Sequence, residues 1–550
     1  MSGPFQVREE AGALHLLLDT PGSSVNVFGP AAAAQLLQIL EALGPRPHVR
    51  QLVLRSLKPG SFVNGAGLLY ASALRSREQA LAVSAPVRRA YEALASAPLS
   101  TVAVVEGNCF GCGLELALCC DWRVGRKEAS VLFAMTELED YRFVPLFGGT
   151  WRLPRAVGRA GAAALLLDGE RWRADEAHAR GLLQHLLPSR GFTPALSRLL
   201  ASLPAAPRAA RSAARSPLRY RPPPPRRSPL WRRCAGLLEA AHRRSPRSAS
   251  AAELRAFAAT VTQPDTKRAM SFFFVRQMAR AAALGSTERR APALRLLPPR
   301  TPALAPLARA LALPPGAVAA EARARTLSVG TRAGLRVHLG PAAAPAAPAA
   351  PVELLLAEPQ ARLVEVAVGP GGEAEAREVA RTLEWAGLEP VLTRPRAGFA
   401  LARLARAWEG ALAQLQLRGL SREAVAQALW AVGFPRSPAE LRAAWQGKAP
   451  RRSRANPART RAAPGAFEAL CAALVRECAA LLDDGTLLHA AQADVLVQGL
   501  VDFPLEEGSL LQYAERVGLA TLLQGAEGAA PAAPHGWLAA RLAAGGRVYR

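Results

Sequence analysis

The sequence predicts an α/β N-terminal domain followed by a helical C-terminal region, and three observations carry that expectation. Short apolar runs of strand length alternate with stretches of helical spacing as far as residue 190. Composition then shifts to Pro and Arg over Ala205–Arg233, AAPRAARSAARSPLRYRPPPPRRSPLWRR, from which no core can be built. From Phe399 onward the remaining apolar residues recur at helical spacing. The 550 residues suit about three domains. The expected organisation is a domain over 1–190, a Pro/Arg-rich linker over 191–249, bridging helices over 250–290, a short segment over 291–368 and a helical region over 369–550.

Ala13–Leu18 alternates as a strand and leads to a turn at Pro21-Gly22. Pro30–Leu43 has helical spacing, with Leu36, Leu37, Ile39, Leu40 and Leu43 on one side. Gln51–Leu57 is a second strand ending at Lys58-Pro59-Gly60. Thr101–Val105 is a third, turning at Gly107 into an apolar helical run through Gly111, Cys112 and Gly113. A strand, a glycine turn and a helix start let a ligand approach the backbone and aim free amides at negative charge. Glu115 lies just past that turn, and Glu137 lies beyond the strand-like Ser130–Ala134. Paired carboxylates beside an amide-lined turn suit general acid–base chemistry. The same residues also fit a packing turn and a solvated acidic loop, and the local pattern does not choose between these.

The wider stretch does. GCGLELALCCDWR, the Glu137 region and GGTWRLPRAVG, in that order, resemble the enoyl-CoA hydratase/isomerase (crotonase) family, especially the hydratase half of multifunctional fatty-acid oxidation complex alpha subunits. Leu18-Asp19-Thr20-Pro21 with Val25-Asn26-Val27, and Leu167 to Leu183 with Asp168-Gly169 and Gly181, extend the likeness. The resemblance implies a crotonase domain of ββα repeats over 1–190. It implies that the backbone amides of Ala66 and Cys112 hold the thioester oxygen as an enolate develops, with Gly65, Gly111 and Gly113 shaping the substrate-binding turns. Glu115 would activate water and Glu137 would deliver a proton to C2. Gly67 stands where the family usually carries Asp. The loop TELEDYRFVP is one residue longer than the family's and carries bulky Tyr141, Arg142 and Phe143, which leaves Glu139 as an alternative second carboxylate.

Ala160–Pro188 reads as helix, turn, helix, with His178 and His185 as filler among its helical residues. Ser250–Leu284 resembles the bridging helices of the multifunctional subunits, with Phe272, Phe273 and Phe274 expected against the first domain. The segment 291–368 then falls where such subunits begin a Rossmann-like nucleotide-binding domain. It lacks a strand followed by Gly-x-Gly-x-x-Gly and includes the low-complexity GPAAAPAAPAAP. Leu363-Val364-Glu365-Val366, Arg396-Ala397-Gly398-Phe399 and Gly433-Phe434-Pro435 resemble 3-hydroxyacyl-CoA dehydrogenases. Glu365 matches that family's His-orienting Glu, Glu353 stands where its His should be, and Ala402 replaces its active-site Asn. The resemblance therefore implies a truncated remnant of the dehydrogenase, without NAD chemistry, and an all-α dehydrogenase-like C-terminal region. Four helices are expected there, over Phe399–Leu417, Glu423–Val432, Phe467–Leu482 and Ala490–Leu500, with Phe503-Pro504 in place of a second Gly-Phe-Pro.

Composition narrows the partners. The 69 Lys and Arg against 43 Asp and Glu give +26, yet only Lys58, Lys127, Lys267 and Lys448 are lysines. Such Arg use with abundant Ala, Gly and Pro is what a GC-rich genome writes into any protein; coenzyme A phosphates or an acidic partner are the other readings. No basic stretch interleaves with aromatics as in a nucleic-acid module. Cys109-x-x-Cys112 lacks the second pair a zinc site needs, and the seven cysteines form no disulfide framework, so no metal is expected. No apolar run approaches the roughly 18–20 residues of a membrane helix, and MSGPFQVREE lacks the pattern of a secretory leader. The expectation is a cytoplasmic enoyl-CoA hydratase acting in β-oxidation on an acyl-CoA thioester. A non-catalytic scaffold holding a thiolase-type beta subunit, an enoyl-CoA isomerase and a homo-oligomer stay open.

Overall fold

Between Gln51 and Ala134 successive strands part company, one joining one sheet and the next joining another. The computed structural model describes residues 3–43, 48–128, 130–204, 229–284, 326–328, 336–339, 341, 352–357, 362–385, 388–446, 465–525 and 536–549. It divides into two compact units, one reaching Met270 and one beginning at Ser271.

The first unit holds β1 (Phe5–Glu10), β2 (Ala13–Leu18), β3 (Gln51–Ser56), β4 (Gly60–Val63), β5 (Ser100–Val105), β6 (Gly107–Phe110), β7 (Trp122–Lys127), β8 (Leu132–Ala134), β9 (Arg171–Arg173) and β10 (His185–Pro188). One sheet runs β1-β2-β3-β5-β7-β10, parallel from β2 onward, and a smaller one runs β4-β6-β8-β9. Continuous burial along β5 explains its unbroken apolar sequence, as expected of a parallel strand covered on both faces. The helices are α1 (Pro30–Glu41), α2 (Leu68–Ala73), α3 (Arg77–Ala95), α4 (Cys112–Ala117), α5 (Leu153–Leu166), α6 (Ala174–Ala179), α7 (Phe192–Ser202), α8 (Pro229–Ala240), α9 (Pro246–Thr260) and α10 (Pro264–Leu284). Strand, strand, helix recurs from β3 to α5, as the ββα expectation for this domain requires.

Several local expectations change. Gly107 does not turn the chain into a helix; it passes the chain from β5 to β6 in the other sheet. A Cβ there would lie 2.2 Å from the backbone of Gly60 and Ser61, so only glycine lets β4 and β6 close up. The helix-turn-helix expected over 160–188 contains β9 and β10, and His185 lies on β10, not on a helix. Runs of three or four residues are too short to show a period. Strand β1 escapes sequence reading because only Phe5 of its six residues is buried.

Of the stretch expected as a linker, 205–228 lies outside the described residues, but its flanks are folded. Helix α7 packs Phe192 and Leu196 against Val53, Val102, Val104 and Val124. Helix α8 buries Trp231, Cys234 and Leu238 in the main core, and Trp231 donates its indole N–H to the Leu167 carbonyl at 3.0 Å. The two bridging helices form as expected, but Phe272 packs in the second unit's core.

That second unit has a mixed sheet, β11 (Thr326–Ser328), β12 (Arg336–Leu339), β13 (Val352–Leu356), β14 (Leu363–Val368) and β15 (Glu389–Thr393), in that order. Helices Ala400–Leu417, Arg422–Ala431, Ala466–Asp483 and Ala490–Val501 match the four expected ones within two residues. Phe434 and Phe503, from the Gly-Phe-Pro motif and its variant, meet at 6.0 Å within an aromatic cluster with Phe467. All seven cysteines are free and buried. Among the described residues no helix is long and apolar enough to cross a membrane.

Candidate active site

The site forms where β4 and β6 end side by side. These strands are parallel neighbours, with Val63 opposite Cys109, so the turns that follow them, Asn64–Gly67 and Gly111–Gly113, share one end of the small sheet. Asn26 fixes the first turn. Its amide nitrogen donates to the carbonyls of Leu18 and Phe62 and to Ser56, and the Asn26 carbonyl accepts from the Asn64 amide at 2.8 Å. Gly65, at φ +113°, then turns the chain and leaves Ala66 exposed.

In the second turn the positive φ falls on Gly111, at +50°, and Cys112 needs no left-handed backbone. A cysteine in the middle of the glycine turn therefore carries no conformational strain. Gly113 is required for a different reason: a Cβ there would sit 2.3 Å from the Val63 carbonyl, so its absence lets α4 rest on β4. The Tyr91 hydroxyl donates to the Cys112 carbonyl at 2.7 Å, and its ring stacks on Phe147 at 4.5 Å. Burial pushes the Cys112 thiol well up, so it stays neutral.

Glu115, on α4, is 1 % exposed. Its Oε1 accepts from the amides of Phe147 at 2.8 Å and Gly149 at 2.7 Å. Glu137 is also buried, and a Cβ on Gly111 would lie 2.4 Å from its Oε1. Its buried Oε2 has no hydrogen-bond partner among the described residues. Glu139, the alternative carboxylate, is exposed and lies 3.8 Å from Arg142. The bulky loop is accommodated because Arg142 takes φ +60°, where a small residue would be easier, and Phe143 buries edge-on against Phe257 at 5.6 Å.

Sequence reasoning missed a third carboxylate. Glu253, from the middle of α9, is fully buried and accepts from the Gly148 amide at 2.8 Å, the Thr150 amide at 2.7 Å and the Thr150 hydroxyl at 2.7 Å. The available signal was its place on the helix stripe shared with Ala249, Phe257 and Thr260, where an acidic residue would otherwise be apolar.

Burial raises all three carboxyls. Glu115 reaches about 7, with the amides of Gly149, Phe147 and Leu146 and the charge of Arg152 opposing the rise. Glu137 is pushed well above the carboxylate range by burial and then by Glu115. Glu253 reaches about 8, by burial and then by Glu115. Near neutral pH Glu115 therefore passes between its protonated and ionised forms, while Glu137 is held protonated. A stability effect follows with a definite sign. Unfolded glutamates lose their protons near 4.5 while the folded ones keep them to about 7 and 8, so the folded state binds more protons across that window. Stability is fully present below 4.5 and is lost as pH rises through 7 to 8. Melting followed by circular dichroism is expected to fall by about 5 °C or more between pH 5 and pH 8.

In the second unit, Glu365 accepts from the Thr393 hydroxyl at 2.7 Å and from the Ala400 and Leu401 amides, both at 2.8 Å, so it caps a helix. Glu353 hydrogen-bonds instead to His338 at 2.8 Å, a buried histidine not anticipated from the sequence, and Ala402 is buried.

Residues 8–221 match the enoyl-CoA hydratase/isomerase family. The fatty acid oxidation complex subunit alpha of Vibrio cholerae serotype O1 is 33% identical over 186 residues, which are 34% of this chain and 26% of that one. The subunit of the same name from Shewanella sp. (strain W3-18-1) is 33% identical over 181 residues, 33% of this chain and 26% of that one. The chain thus spans about a quarter of the length of the curated relatives it matches. An enoyl-CoA hydratase from Mycobacterium avium subsp. paratuberculosis K-10, known from its crystal structure, aligns over 50% of this chain and 96% of that one, with 22% identity and a TM-score of 0.38.

Proposed function

We propose that this site adds water across the C2–C3 double bond of an enoyl-CoA thioester, a reading supported by the match of residues 8–221 to the enoyl-CoA hydratase/isomerase family. The observation that carries the reading is the unlike pair of buried carboxylates at the turn after β6, with Glu115 held by amides and Glu137 beside Gly111 with its Oε2 unpartnered among the described residues.

In this reading the amides of Ala66 and Cys112 receive the thioester oxygen and stabilise it as the enolate forms, an effect worth about 2.7–4 kcal/mol per donor. Ionised Glu115 takes a proton from water while the water oxygen bonds to C3. Protonated Glu137 gives its proton to C2, and the C=C electron pair forms the new C–H bond. The two carboxyls finish with exchanged protonation, which solvent resets. Hydride chemistry has no part in the proposal. Glu365, Glu353 and Ala402 support its omission, since the first caps a helix, the second pairs with His338 and the third carries no polar group.

Purified protein is expected to bleach the conjugated-thioester absorbance of a short or a long trans-2-enoyl-CoA. Turnover of neither by folded protein would overturn the hydratase reading and favour a scaffold for a thiolase-type partner.

A further inference from the structure

The segment Phe147–Thr150 runs between two buried carboxylates and divides its amides between them in strict alternation. Phe147 and Gly149 donate to Glu115, while Gly148 and Thr150 donate to Glu253. The segment fits here because its two middle residues are glycines: a Cβ on Gly148 would sit 2.5 Å from Arg152 Cδ, and one on Gly149 would sit 2.6 Å from Met135 Cε. We propose that Glu253 is a positioning residue of the hydration site, anchoring alternate amides of Phe147–Thr150 so that the remaining two hold Glu115 in place.

A carboxylate in this core is costly unless its donors are present, and Glu253 has three, all from the same four-residue segment. Side chains of the same helix pair grip the other end of the loop. Thr260 Oγ accepts from the Val144 amide at 3.4 Å, and Thr266 donates to the Arg142 carbonyl at 2.7 Å. A packing role alone would not need a carboxyl here, because an apolar residue on the stripe of Ala249 and Phe257 would fill the space. The other groups facing the two carboxylates are Glu137 from the loop, Arg152 at the start of α5, Tyr91 from α3, Cys112 from α4 and Cys234 from α8. The phenol and both thiols are pushed up by burial and stay neutral. Glu253, raised to about 8, is still protonated while Glu115 titrates at about 7, so a change at Glu253 reaches Glu115 through the shared amides and not through charge.

The kinetic arm of the test rests on the hydratase reading; the spectroscopic arm does not. In the full chain, Glu253→Gln should disturb the Phe147 and Gly149 amides that favour ionised Glu115 and so shift the Glu115 titration to higher pH by about half a unit or more. The shift is read from the infrared carbonyl stretch of protonated carboxyls, with Glu115→Gln assigning the band. Because a Gln nitrogen opposes one of the anchored amides, kcat for crotonyl-CoA should also fall about tenfold with KM little changed. Glu253→Ala should lose about a hundredfold with an unchanged circular dichroism spectrum. A wild-type Glu115 titration in Glu253→Gln overturns the proposal, whatever happens to the rate, and so does an unchanged kcat in both variants. If the wild-type protein does not hydrate crotonyl-CoA, the hydratase reading fails, while the infrared shift still decides whether Glu253 positions Glu115.

Discussion

Glu115→Gln is expected to lower kcat for crotonyl-CoA hydration by about 10²–10⁴-fold, the usual range for removing a general base. The change keeps the side chain's size, and its amide oxygen can accept from the Phe147 and Gly149 N–H groups that now meet Oε1. The fold should therefore survive. Losing a carboxyl that burial raises to about 7 should make the variant melt higher than wild type at pH 8, where wild-type Glu115 must be ionised without enough compensation. The pH profile supplies a second readout. Since water activation needs the ionised form, wild-type kcat/KM should rise as pH passes through about 7, and the limb should vanish in the variant. Full activity in Glu115→Gln would remove Glu115 from the chemistry.

The second large effect is expected at Gly111→Ala. Its backbone sits at φ +50°, ψ −122°, a conformation that any side chain strains, and the added methyl would lie 2.4 Å from Glu137 Oε1. Backbone strain should lower unfolding free energy by about 1–3 kcal/mol in urea denaturation. Glu137 has no hydrogen bond on Oε2 to resist displacement, so the donor carboxyl moves and kcat should fall about a hundredfold. Cys112→Gly is the control. It puts a third glycine between Gly111 and Gly113, where no positive φ demands one, and should leave the rate close to wild type. A Gly111→Ala enzyme as fast as wild type would mean that Glu137 is not held beside the reacting carbon.

Much of this site was legible because glycine and carboxylate spacing report on backbone geometry. Strands β2, β3 and β5 and the helix at Ala400–Leu417 follow from periodicity alone, since each is long enough to show it. The difference between Glu137 and Glu139 was not legible, because residues two apart in a loop have no fixed faces; the fold buries the first and leaves the second exposed. The assignment of strain within Gly111-Cys112-Gly113 likewise needed the dihedrals. Glu253 lies 138 positions beyond Glu115, on a helix whose Ala-rich sequence reads as packing, and only the fold brings it to the Phe147–Thr150 amides. The boundary near residue 190 misled for a related reason: Pro and Arg dominate the stretch that follows, yet Trp231, Cys234 and Leu238 recur at helical spacing and close over the core.

The seven buried free thiols give the molecule its own clock. Five of them, Cys109, Cys112, Cys119, Cys120 and Cys234, belong to the first unit, and Cys471 and Cys478 to the second. A thiol-alkylating reagent can reach none of them without an opening event, and burial keeps each from the reactive thiolate form where its shift is resolved. Alkylation rates sorted by cysteine therefore time the breathing of each unit separately, with no label or mutation introduced.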